Sequence, residues 1–198
     1  MVFLWVWLVT GLGAADPKIL VFFGDSLTAG YGLDPDEAFP ALVQQKITAA
    51  GLPWRVVNAG LSGDTTAGGL RRLDWVLKQP MDVLVIELGG NDGLRGIPPG
   101  STRANLQAMI ARVRAQRPAT IIVLAGMQLP TNLGPDYTRE FAALYPQLAE
   151  TNHALLIPFL LDRVGGVPAL NQPDGIHPTA EGHQLVADTV WRIIRPLL

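Results

Sequence analysis

Five short, nearly continuous apolar runs are spaced along the chain, and each has the length of a β-strand. Because polar residues do not alternate within them, the runs are typical of parallel strands that are covered on both faces of a sheet. The runs are Lys18–Phe23, Trp54–Asn58, Asp82–Leu88, Thr120–Ala125 and Ala154–Phe159. The pattern therefore predicts a five-stranded parallel sheet.

Between these runs lie segments in which apolar residues recur three or four positions apart, as they do on one face of a helix. The predicted helices are Phe39–Ala50, Thr66–Gln79, Ser101–Arg117, Thr138–Thr151 and Thr179–Leu197. Strands that alternate with helices require right-handed crossovers, which place helices on both faces of the sheet. We expect an α/β fold, a three-layer α/β/α sandwich. The flavodoxin-like strand order 2-1-3-4-5 is the simplest assignment, although the pattern alone does not fix it.

The first fifteen residues differ from the rest of the chain, being apolar except for Thr10 and ending in small residues. The run is shorter than the ~20 apolar residues that span a bilayer as a helix. It is typical of a signal peptide cleaved after Ala15, although no Lys or Arg precedes it. A buried first element or a misassigned start codon is the alternative. We expect an exported, periplasmic or secreted protein with one domain at residues 16–198 and no integral membrane anchor in the mature chain.

Composition narrows the classes of function. The chain has 15 Lys plus Arg and 17 Asp plus Glu, a net charge of -2, so no basic surface indicates binding to nucleic acid. It has no cysteine, which excludes disulfides, zinc–thiolate sites and cysteine nucleophiles. Apolar residues make up 48% of the chain, which favours a compact fold over disorder. The oligomeric state is not indicated.

Glycine and polar residues follow the predicted strands, at the positions where parallel sheets bind ligands. Three clusters come directly after the first three strands, and a fourth precedes the last helix. They are Gly24–Leu27, Asn58–Gly63, Gly89–Asp92 and Asp174–Pro178. Since the carboxyl ends of parallel strands meet at one edge of a sheet, we expect these clusters to lie together.

The clusters contain the residue types of a serine hydrolase. Ser26 needs an adjacent base to become a nucleophile, and His177 is the best candidate among three histidines because Asp174 lies just before it. The backbone amide of Ser26, the glycine at Gly60 and the side-chain amide of Asn91 are candidate donors to an oxyanion. Taken singly, Gly60 is equally well a plain loop glycine and Asn91 a turn residue.

Four sequence blocks resemble those of the SGNH, or GDSL-type, hydrolases. The blocks are FFGDSLTAGYGL, NAGLSGDTTAGGL, GGNDGLRG and DGIHPTAEGH. The resemblance implies that Ser26 is the nucleophile, His177 the base and Asp174 its orienting carboxylate, with Ser26, Gly60 and Asn91 as the oxyanion hole. It also implies two-step hydrolysis of acyl and aryl esters, acyl-CoA thioesters and lysophospholipids without a metal or organic cofactor.

The segment from Gln128 to Tyr145 follows the fourth strand and is predicted to overhang the crevice. Its apolar residues are candidates for contact with a small-molecule or lipid acyl substrate, namely Leu129, Pro130, Leu133, Phe141 and Tyr145. The alternative is that Phe141 and Tyr145 anchor the next helix to the core.

Two other functions remain open. A metal-dependent phosphoesterase also places Asp and Asn after strands, but two-metal sites usually include several histidines, and this chain has three, with no His-x-His. A non-catalytic carbohydrate- or lipid-binding module of the same fold would be expected to lack Ser26, Asp174 or His177. For Asp25 and Asp92, we expect side-chain hydrogen bonds that hold strand-to-helix turns.

Overall fold

The computed structural model describes residues 16–198, so the predicted signal peptide at residues 1–15 lies outside the described residues. Five parallel strands form a sheet in the order β2-β1-β3-β4-β5. Their bounds are β1 Lys18–Gly24, β2 Trp54–Asn58, β3 Val83–Glu87, β4 Ile121–Ala125 and β5 Leu155–Ile157. The parallel sheet and its flavodoxin-like strand order are thereby confirmed.

Within the described residues, seven α-helices connect and cover the strands. They are α1 Ser26–Ala29, α2 Phe39–Ala49, α3 Thr66–Val76, α4 Gly90–Leu94, α5 Pro99–Gln116, α6 Pro135–Thr151 and α7 Ala180–Ile194. Short 3-10 turns lie at Thr131–Leu133, Pro168–Leu170 and Arg195–Leu197. Each helix predicted from the sequence is present, whereas the two short helices α1 and α4 come from the glycine-rich clusters after β1 and β3.

The helices form layers on the two faces of the sheet. Neighbouring side chains of a strand point to opposite faces of the sheet. Contacts to Phe22 and Phe23 of β1 therefore identify the helices on each face. Phe22 packs edge-on against Phe39 of α2, with ring centroids 5.2 Å apart, whereas Arg72 of α3 lies 4.1 Å from the Phe23 ring centroid. Since α2 packs on α7, and α5 packs on both α3 and α6, the three-layer sandwich is confirmed.

The ends of two elements differ from the prediction for reasons of proline chemistry. The run Ala154–Phe159 is longer than β5, which ends at Ile157 because Pro158 has no N–H to donate to a neighbouring strand. Helix α6 begins at Pro135, three residues before the predicted start, because proline is favoured in the first turn, where no hydrogen bond is lost.

The strand order places a topological switch point between β1 and β3. From β1 the chain crosses to β2 on one side, and it then returns to β3 on the other. In such sheets a crevice opens beyond the carboxyl ends of these two strands. Ser26 lies two residues after the end of β1 and Asn91 four residues after the end of β3, so the topology brings their clusters to this crevice. Within residues 16–198, no helix is long and apolar enough to cross a membrane.

Candidate active site

Ser26 is the first residue of α1 and lies directly beyond the end of β1. The preceding Asp25 caps this helix, because its Oδ1 accepts a hydrogen bond from the Leu27 N–H at 3.0 Å. The predicted turn-holding role of Asp25 is therefore confirmed. This turn leaves Ser26 only 8% exposed, with its side chain on the wall of a cavity.

A chain of hydrogen bonds joins Ser26, His177 and Asp174. The His177 Nε2 lies 2.9 Å from the Ser26 Oγ, and the His177 Nδ1 lies 2.7 Å from the Asp174 Oδ2. Ser26 and His177 are 151 positions apart along the chain, whereas Asp174 and His177 are three positions apart. The structure thus brings together the three side chains that the sequence nominated, in the order required for proton transfer from the hydroxyl to the imidazole.

Asp174 is held as an anion by its own turn. Its Oδ1 accepts the backbone N–H groups of Ile176 at 2.8 Å and His177 at 3.0 Å. Together with the bond to the imidazole, these donors lower the pKa of Asp174 to about 2. The turn is possible because Gly175 adopts a φ of +70°, a conformation that other residues rarely take. An ionised Asp174 fixes the tautomer of His177 with the proton on Nδ1, so that Nε2 faces the hydroxyl.

Gly60 packs directly against α1. A Cβ at this position would lie 2.4 Å from the Ala29 backbone nitrogen, so only glycine allows the loop after β2 to approach α1, the helix that begins at Ser26. The Gly60 N–H donates to the Asn58 Oδ1 at 2.9 Å, and the Asn58 Nδ2 donates to the Thr28 carbonyl at 2.8 Å. Asn58 therefore holds the Gly60 amide in a fixed orientation beside α1.

Asn91 lies on α4 and lines the same cavity as Ser26 and His177. Its Nδ2 donates to the Asp25 Oδ2 and to the Asp64 carbonyl, both at 3.0 Å. These two bonds fix the side-chain amide in one orientation, with its nitrogen beside the Ser26 turn. The sequence identified Asn91 as a donor, but nothing in the sequence showed that Asp25 would be the group that orients it.

Arg72 joins the carboxyl ends of β1 and β2. Its guanidinium donates to the Gly24 carbonyl and to the Ala59 carbonyl, both at 2.9 Å, and its Nε lies 2.7 Å from the Asp64 Oδ2. These carbonyls belong to the peptides that precede the Asp25–Ser26 turn and Gly60. Sequence reasoning missed Arg72, because nothing local to α3 indicates that its side chain reaches across to two strand ends.

Beneath Ser26 lies a buried group of polar side chains that we call the floor, formed by Asp25, Thr28 and Glu87. The Glu87 Oε2 accepts the Thr28 hydroxyl at 2.7 Å and the Asp25 N–H at 3.2 Å. Burial is the main cause that raises the pKa of Asp25 to about 6. The pKa of Glu87 is raised well above its usual value by burial and by the nearby Asp25. Burial therefore favours the neutral form of Glu87 over its anion.

Asp92 connects α4 to α3. Its Oδ2 accepts the Thr66 N–H at 2.8 Å, and its Oδ1 accepts the Thr66 hydroxyl at 2.5 Å. The side-chain-to-backbone bond that the sequence predicted for Asp92 is present, but it fixes the start of α3 rather than the turn on which Asp92 lies. Asp92 is fully buried and has no place in the cavity wall.

A cavity of about 590 Å³ opens beside Ser26 and His177. Of the residues predicted to contact substrate, Leu129 and Pro130 line it, whereas Leu133, Phe141 and Tyr145 do not. Apolar side chains from four separate segments complete the wall, namely Leu94, Met127, Phe159, Leu161 and Ile176. The lining is thus mainly apolar, with the polar Ser26–His177 pair at one side.

The expectation that Phe141 and Tyr145 contact substrate is wrong. Both are buried in α6, with exposures of 0% and 1%, and the Tyr145 hydroxyl donates to the Leu88 carbonyl at 3.1 Å. Their spacing with Leu144 and Leu148 makes one apolar stripe that faces the sheet. Leu133 lies on a 3-10 turn before α6 and is 36% exposed. The anchoring alternative for Phe141 and Tyr145 is the one that the structure supports.

Sequence reasoning missed the contribution of the chain after β5. Phe159 and Leu161 line the cavity, yet Phe159 was assigned to the fifth strand and Leu161 to no element. The rule that found the other clusters applies here too, because these residues follow the carboxyl end of a strand. The signal was therefore present, and Pro158 marked where the strand had to end.

The chain is similar to known proteins over most of its length. The model of the GDSL-like Lipase/Acylhydrolase family matches residues 22–185. Esterase TesA of Pseudomonas aeruginosa is 43% identical over 192 residues, 96% of this chain and 94% of that protein. The thioesterase 1/protease 1/lysophospholipase L1 of Escherichia coli is 40% identical over 99% of this chain and 92% of that protein. An arylesterase of Vibrio mimicus is 38% identical over 89% and 87% of the two chains.

Solved structures give the same result. The crystal structure of TesA superposes with a TM-score of 0.87 at 42% identity, covering 91% of this chain and 100% of that one. A psychrotrophic esterase, EstA, from Pseudoalteromonas sp., inhibited by monoethylphosphonate, has a TM-score of 0.85 at 34% identity, covering 91% and 98%. With the match to the family model and relatives that align over nearly their whole length, the chain belongs to the GDSL-like lipase/acylhydrolase family, the SGNH hydrolases.

Proposed function

We propose that this protein is a serine esterase that hydrolyses carboxylic ester and thioester bonds through an acyl-enzyme intermediate. The observation that carries the proposal is the hydrogen-bonded chain from the Ser26 Oγ through His177 to Asp174, at 2.9 and 2.7 Å. Nucleophilic hydrolysis by serine requires such a chain, because the hydroxyl attacks only as its proton is removed. The apolar cavity at its side provides room for an acyl group.

In the first half-reaction the Ser26 Oγ attacks the carbonyl carbon of the ester. His177 Nε2 takes the hydroxyl proton as the new carbon–oxygen bond forms, and the ionised Asp174 stabilises the resulting imidazolium. The carbon–oxygen or carbon–sulfur bond to the leaving group then breaks. The leaving alcohol or thiol departs with the proton held by His177, and the acyl group remains on Ser26.

In the second half-reaction a water molecule takes the place of the leaving group. His177 removes one proton from this water as its oxygen attacks the acyl carbon, and returns the proton to the Ser26 oxygen as the acyl bond breaks. The carboxylic acid leaves and the serine hydroxyl is restored. No step requires an electron donor, an acceptor or a metal.

The developing negative charge on the carbonyl oxygen needs donors that are already oriented. The proposed donors are the backbone amides of Ser26 and Gly60 and the side-chain amide of Asn91. The Gly60 amide is held by Asn58, and the Asn91 amide by Asp25 and the Asp64 carbonyl. Since an N–H can be shared between two acceptors, these bonds preorganise the donors without preventing a contact to the oxyanion.

The cavity and the relatives together favour hydrophobic acyl substrates. The lining is mainly apolar and its volume of about 590 Å³ is within the range of small-molecule sites. The relatives are named esterase, thioesterase, lysophospholipase and arylesterase. We therefore propose acyl esters, aryl esters, acyl-CoA thioesters and lysophospholipids as substrates. Steady-state kinetics with p-nitrophenyl esters, acyl-CoA thioesters and lysophospholipids of graded chain length rank these classes.

The direct test is labelling by a fluorophosphonate, which reacts with activated serines. Ser26 should be the modified residue in peptide mass spectrometry, and Ser26→Ala should lose labelling and at least about 10³-fold in kcat/KM while remaining folded. Ser101→Ala, at an exposed position of α5, is the matched control and should behave as the wild type. Labelling at another serine, or activity that survives in Ser26→Ala, would refute the proposal.

Base catalysis by His177 predicts a pH dependence. The hydrolysis rate should rise with pH across the range in which an imidazole loses its proton. A rate that stays flat across that range contradicts the assignment of His177. Activity assays also test the alternative function, a metal-dependent phosphoesterase. Such an enzyme would be inhibited by a chelator and would not react with the fluorophosphonate. A non-catalytic binding module would show neither labelling nor turnover.

We also propose that the protein is exported after removal of residues 1–15. The support is the sequence of this segment, a short apolar run that ends in Ala14 and Ala15. Expression of the full chain in a Gram-negative host, followed by osmotic release of the periplasm and mass spectrometry of the intact protein, tests this. A mature protein that begins at Asp16 is expected, whereas a cytoplasmic protein that retains Met1 would disprove export.

A further inference from the structure

The ring of Tyr31 packs against the imidazole of His177. The ring centroids of Tyr31 and His177 are 4.6 Å apart and the planes are inclined by 41°. Tyr31 follows α1, and its N–H donates to the Ser26 carbonyl at 3.0 Å, so it is tied to the nucleophile's own turn. Its side chain is 52% exposed and is absent from the lining of the cavity. Burial in the core therefore does not account for the ring's position.

Gln172 connects the Tyr31 segment to the loop that carries the base. Its Nε2 donates to the Tyr31 carbonyl at 2.7 Å and to the Pro178 carbonyl at 3.0 Å. Its backbone N–H donates to the His177 carbonyl at 2.7 Å. A single residue therefore links the segment after α1 to the carbonyls of both His177 and Pro178. This linkage keeps the Tyr31 ring against the imidazole although the ring is largely open to solvent.

The contact has a chemical consequence during turnover. When His177 takes the Ser26 proton, its ring becomes a cation, and a cation within about 6 Å of an aromatic face is attracted by the ring's quadrupole. The neutral imidazole of the resting state gains much less from the same contact. Asp174 on the same loop is hydrogen-bonded to His177, and Asp25 before α1 and His183 on α7 interact with it electrostatically. Asp174 contacts the ring edge at Nδ1, whereas the Asp25 Oδ1 accepts the Leu27 N–H and the His183 Nδ1 accepts the Phe39 N–H.

We propose that Tyr31 is a positioning residue for the base. Its ring holds the imidazole of His177 in line with the Ser26 Oγ and stabilises the imidazolium formed in the transition state, while Gln172 keeps Tyr31 in place. The inference rests on the proposed role of His177 as general base. Tyr31 contributes through the face of its ring, so its hydroxyl group is dispensable.

Substitutions at this exposed position separate the ring from the hydroxyl. Tyr31→Leu should lower kcat/KM by about 3- to 10-fold, and should do so equally for p-nitrophenyl acetate and p-nitrophenyl octanoate. Tyr31→Phe and Tyr31→Trp keep an aromatic face and should stay within about twofold of the wild type. The acid limb of the kcat/KM profile should move to lower pH in Tyr31→Leu only, because the protonated imidazole has lost its stabilising partner.

Three outcomes would overturn the inference. A wild-type kcat/KM in Tyr31→Leu would show that the contact between Tyr31 and His177 does not contribute to catalysis. A loss in Tyr31→Leu that grows with acyl chain length, or that leaves the pH profile in place, makes Tyr31 a substrate contact or a structural residue. A loss in Tyr31→Phe as large as in Tyr31→Leu assigns the effect to the hydroxyl. Fluorophosphonate labelling of Ser26 in each variant distinguishes these results from failure of the serine mechanism itself, which would abolish labelling in the wild type as well.

Discussion

Two aspartates beside Ser26 and His177, Asp25 and Asp174, lie in opposite environments. Asp174 belongs to an exposed loop, which we call the rim (residues 171–178), whereas Asp25 belongs to the buried floor with Thr28 and Glu87. The rim provides three donors to Asp174 and lowers its pKa to about 2. The floor withdraws Asp25 from water and raises its pKa to about 6. The same residue type is therefore a stable anion at the rim, as Asp174, and binds its proton more tightly at the floor, as Asp25.

The difference indicates that the rim and the floor have separate roles, one in catalysis and one in stability. The rim holds an ionised carboxylate against His177, which suits a group that orients the imidazole and stabilises an imidazolium. The floor has no cation among its hydrogen-bond partners, so ionising both of its carboxyl groups would place two like charges in a buried site. Its role is to hold α1 and Asn91 in position. We therefore expect changes at the rim to affect rate, and changes at the floor to affect stability.

The largest expected effect is at the rim. Asp174→Asn should lower kcat by roughly 10³- to 10⁴-fold, because an amide favours the wrong tautomer of His177 and does not stabilise its cation. The free energy of unfolding in urea should change by less than about 1 kcal/mol, since the side chain is partly exposed. Asp136→Asn, on the solvent side of α6, is the matched control and should leave both quantities unchanged. A large loss of unfolding free energy in Asp174→Asn, or a near-normal kcat, would contradict the separation of a catalytic rim from a stabilising floor.

The next effect is at the floor. Glu87→Ala should reduce the free energy of unfolding by about 2–4 kcal/mol, because it leaves the Asp25 N–H and the Thr28 hydroxyl without their acceptor and opens a cavity. Glu87→Gln keeps the volume and one acceptor oxygen, so it should cost less. Urea denaturation monitored by tryptophan fluorescence measures both. If Glu87→Ala is as stable as the wild type, the floor does not hold α1.

The pH dependence of stability provides a third comparison. Raised carboxyl pKa values at the floor mean that the native state binds more protons than the unfolded state, so this contribution falls as pH rises above the unfolded values near 4. Asp174 acts with the opposite sign, since its stabilisation is present above about pH 4 and is lost as pH falls toward 2. His183, whose burial lowers its pKa to about 4, loses stabilisation as pH falls below about 6.5.

The contribution of Glu87 is isolated by comparing one variant with the wild type across pH. Glu87→Gln has no proton to release at this position, so its stability relative to the wild type should increase as pH rises from 5 to 8, an interval above the usual pKa of about 4.3 for a glutamate. Urea unfolding at several pH values gives this difference directly. A difference that does not change with pH means that Glu87 is already ionised in the native state.

The smallest expected effect is that of a single hydroxyl group. Thr28→Val preserves the shape of the side chain but removes the 2.7 Å hydrogen bond to the Glu87 Oε2. We expect a loss of about 1 kcal/mol in the free energy of unfolding, or about 2–4 °C in Tm. Thr120→Val, whose hydroxyl donates to the Met81 carbonyl at the other end of the sheet, is a control for the loss of one threonine hydroxyl far from the site. A larger effect at Thr120 than at Thr28 would contradict the importance of the floor.

Prediction from the sequence was most accurate where local chemistry governs the outcome. The strand Trp54–Asn58 has the predicted bounds, and the start of α7 follows from Thr179, whose side chain accepts the Gly182 N–H. It was least accurate where one residue type suits either a substrate contact or the core. Tyr145 has the aromatic ring and hydroxyl expected of a substrate contact, yet its place on the apolar stripe of α6 buries it.

The sequence by itself determined the sheet and its helices, and it predicted the set of Ser26, His177 and Asp174 that the structure brings together, because these follow from periodicity and from motifs of a few neighbouring residues. Only the tertiary structure decided which groups surround them. Arg72, Glu87 and Tyr31 act on residues 48, 62 and 146 positions away, counted from their partners Gly24, Asp25 and His177. Contacts of this kind depend on how packed layers bring distant segments together, and no local pattern encodes them.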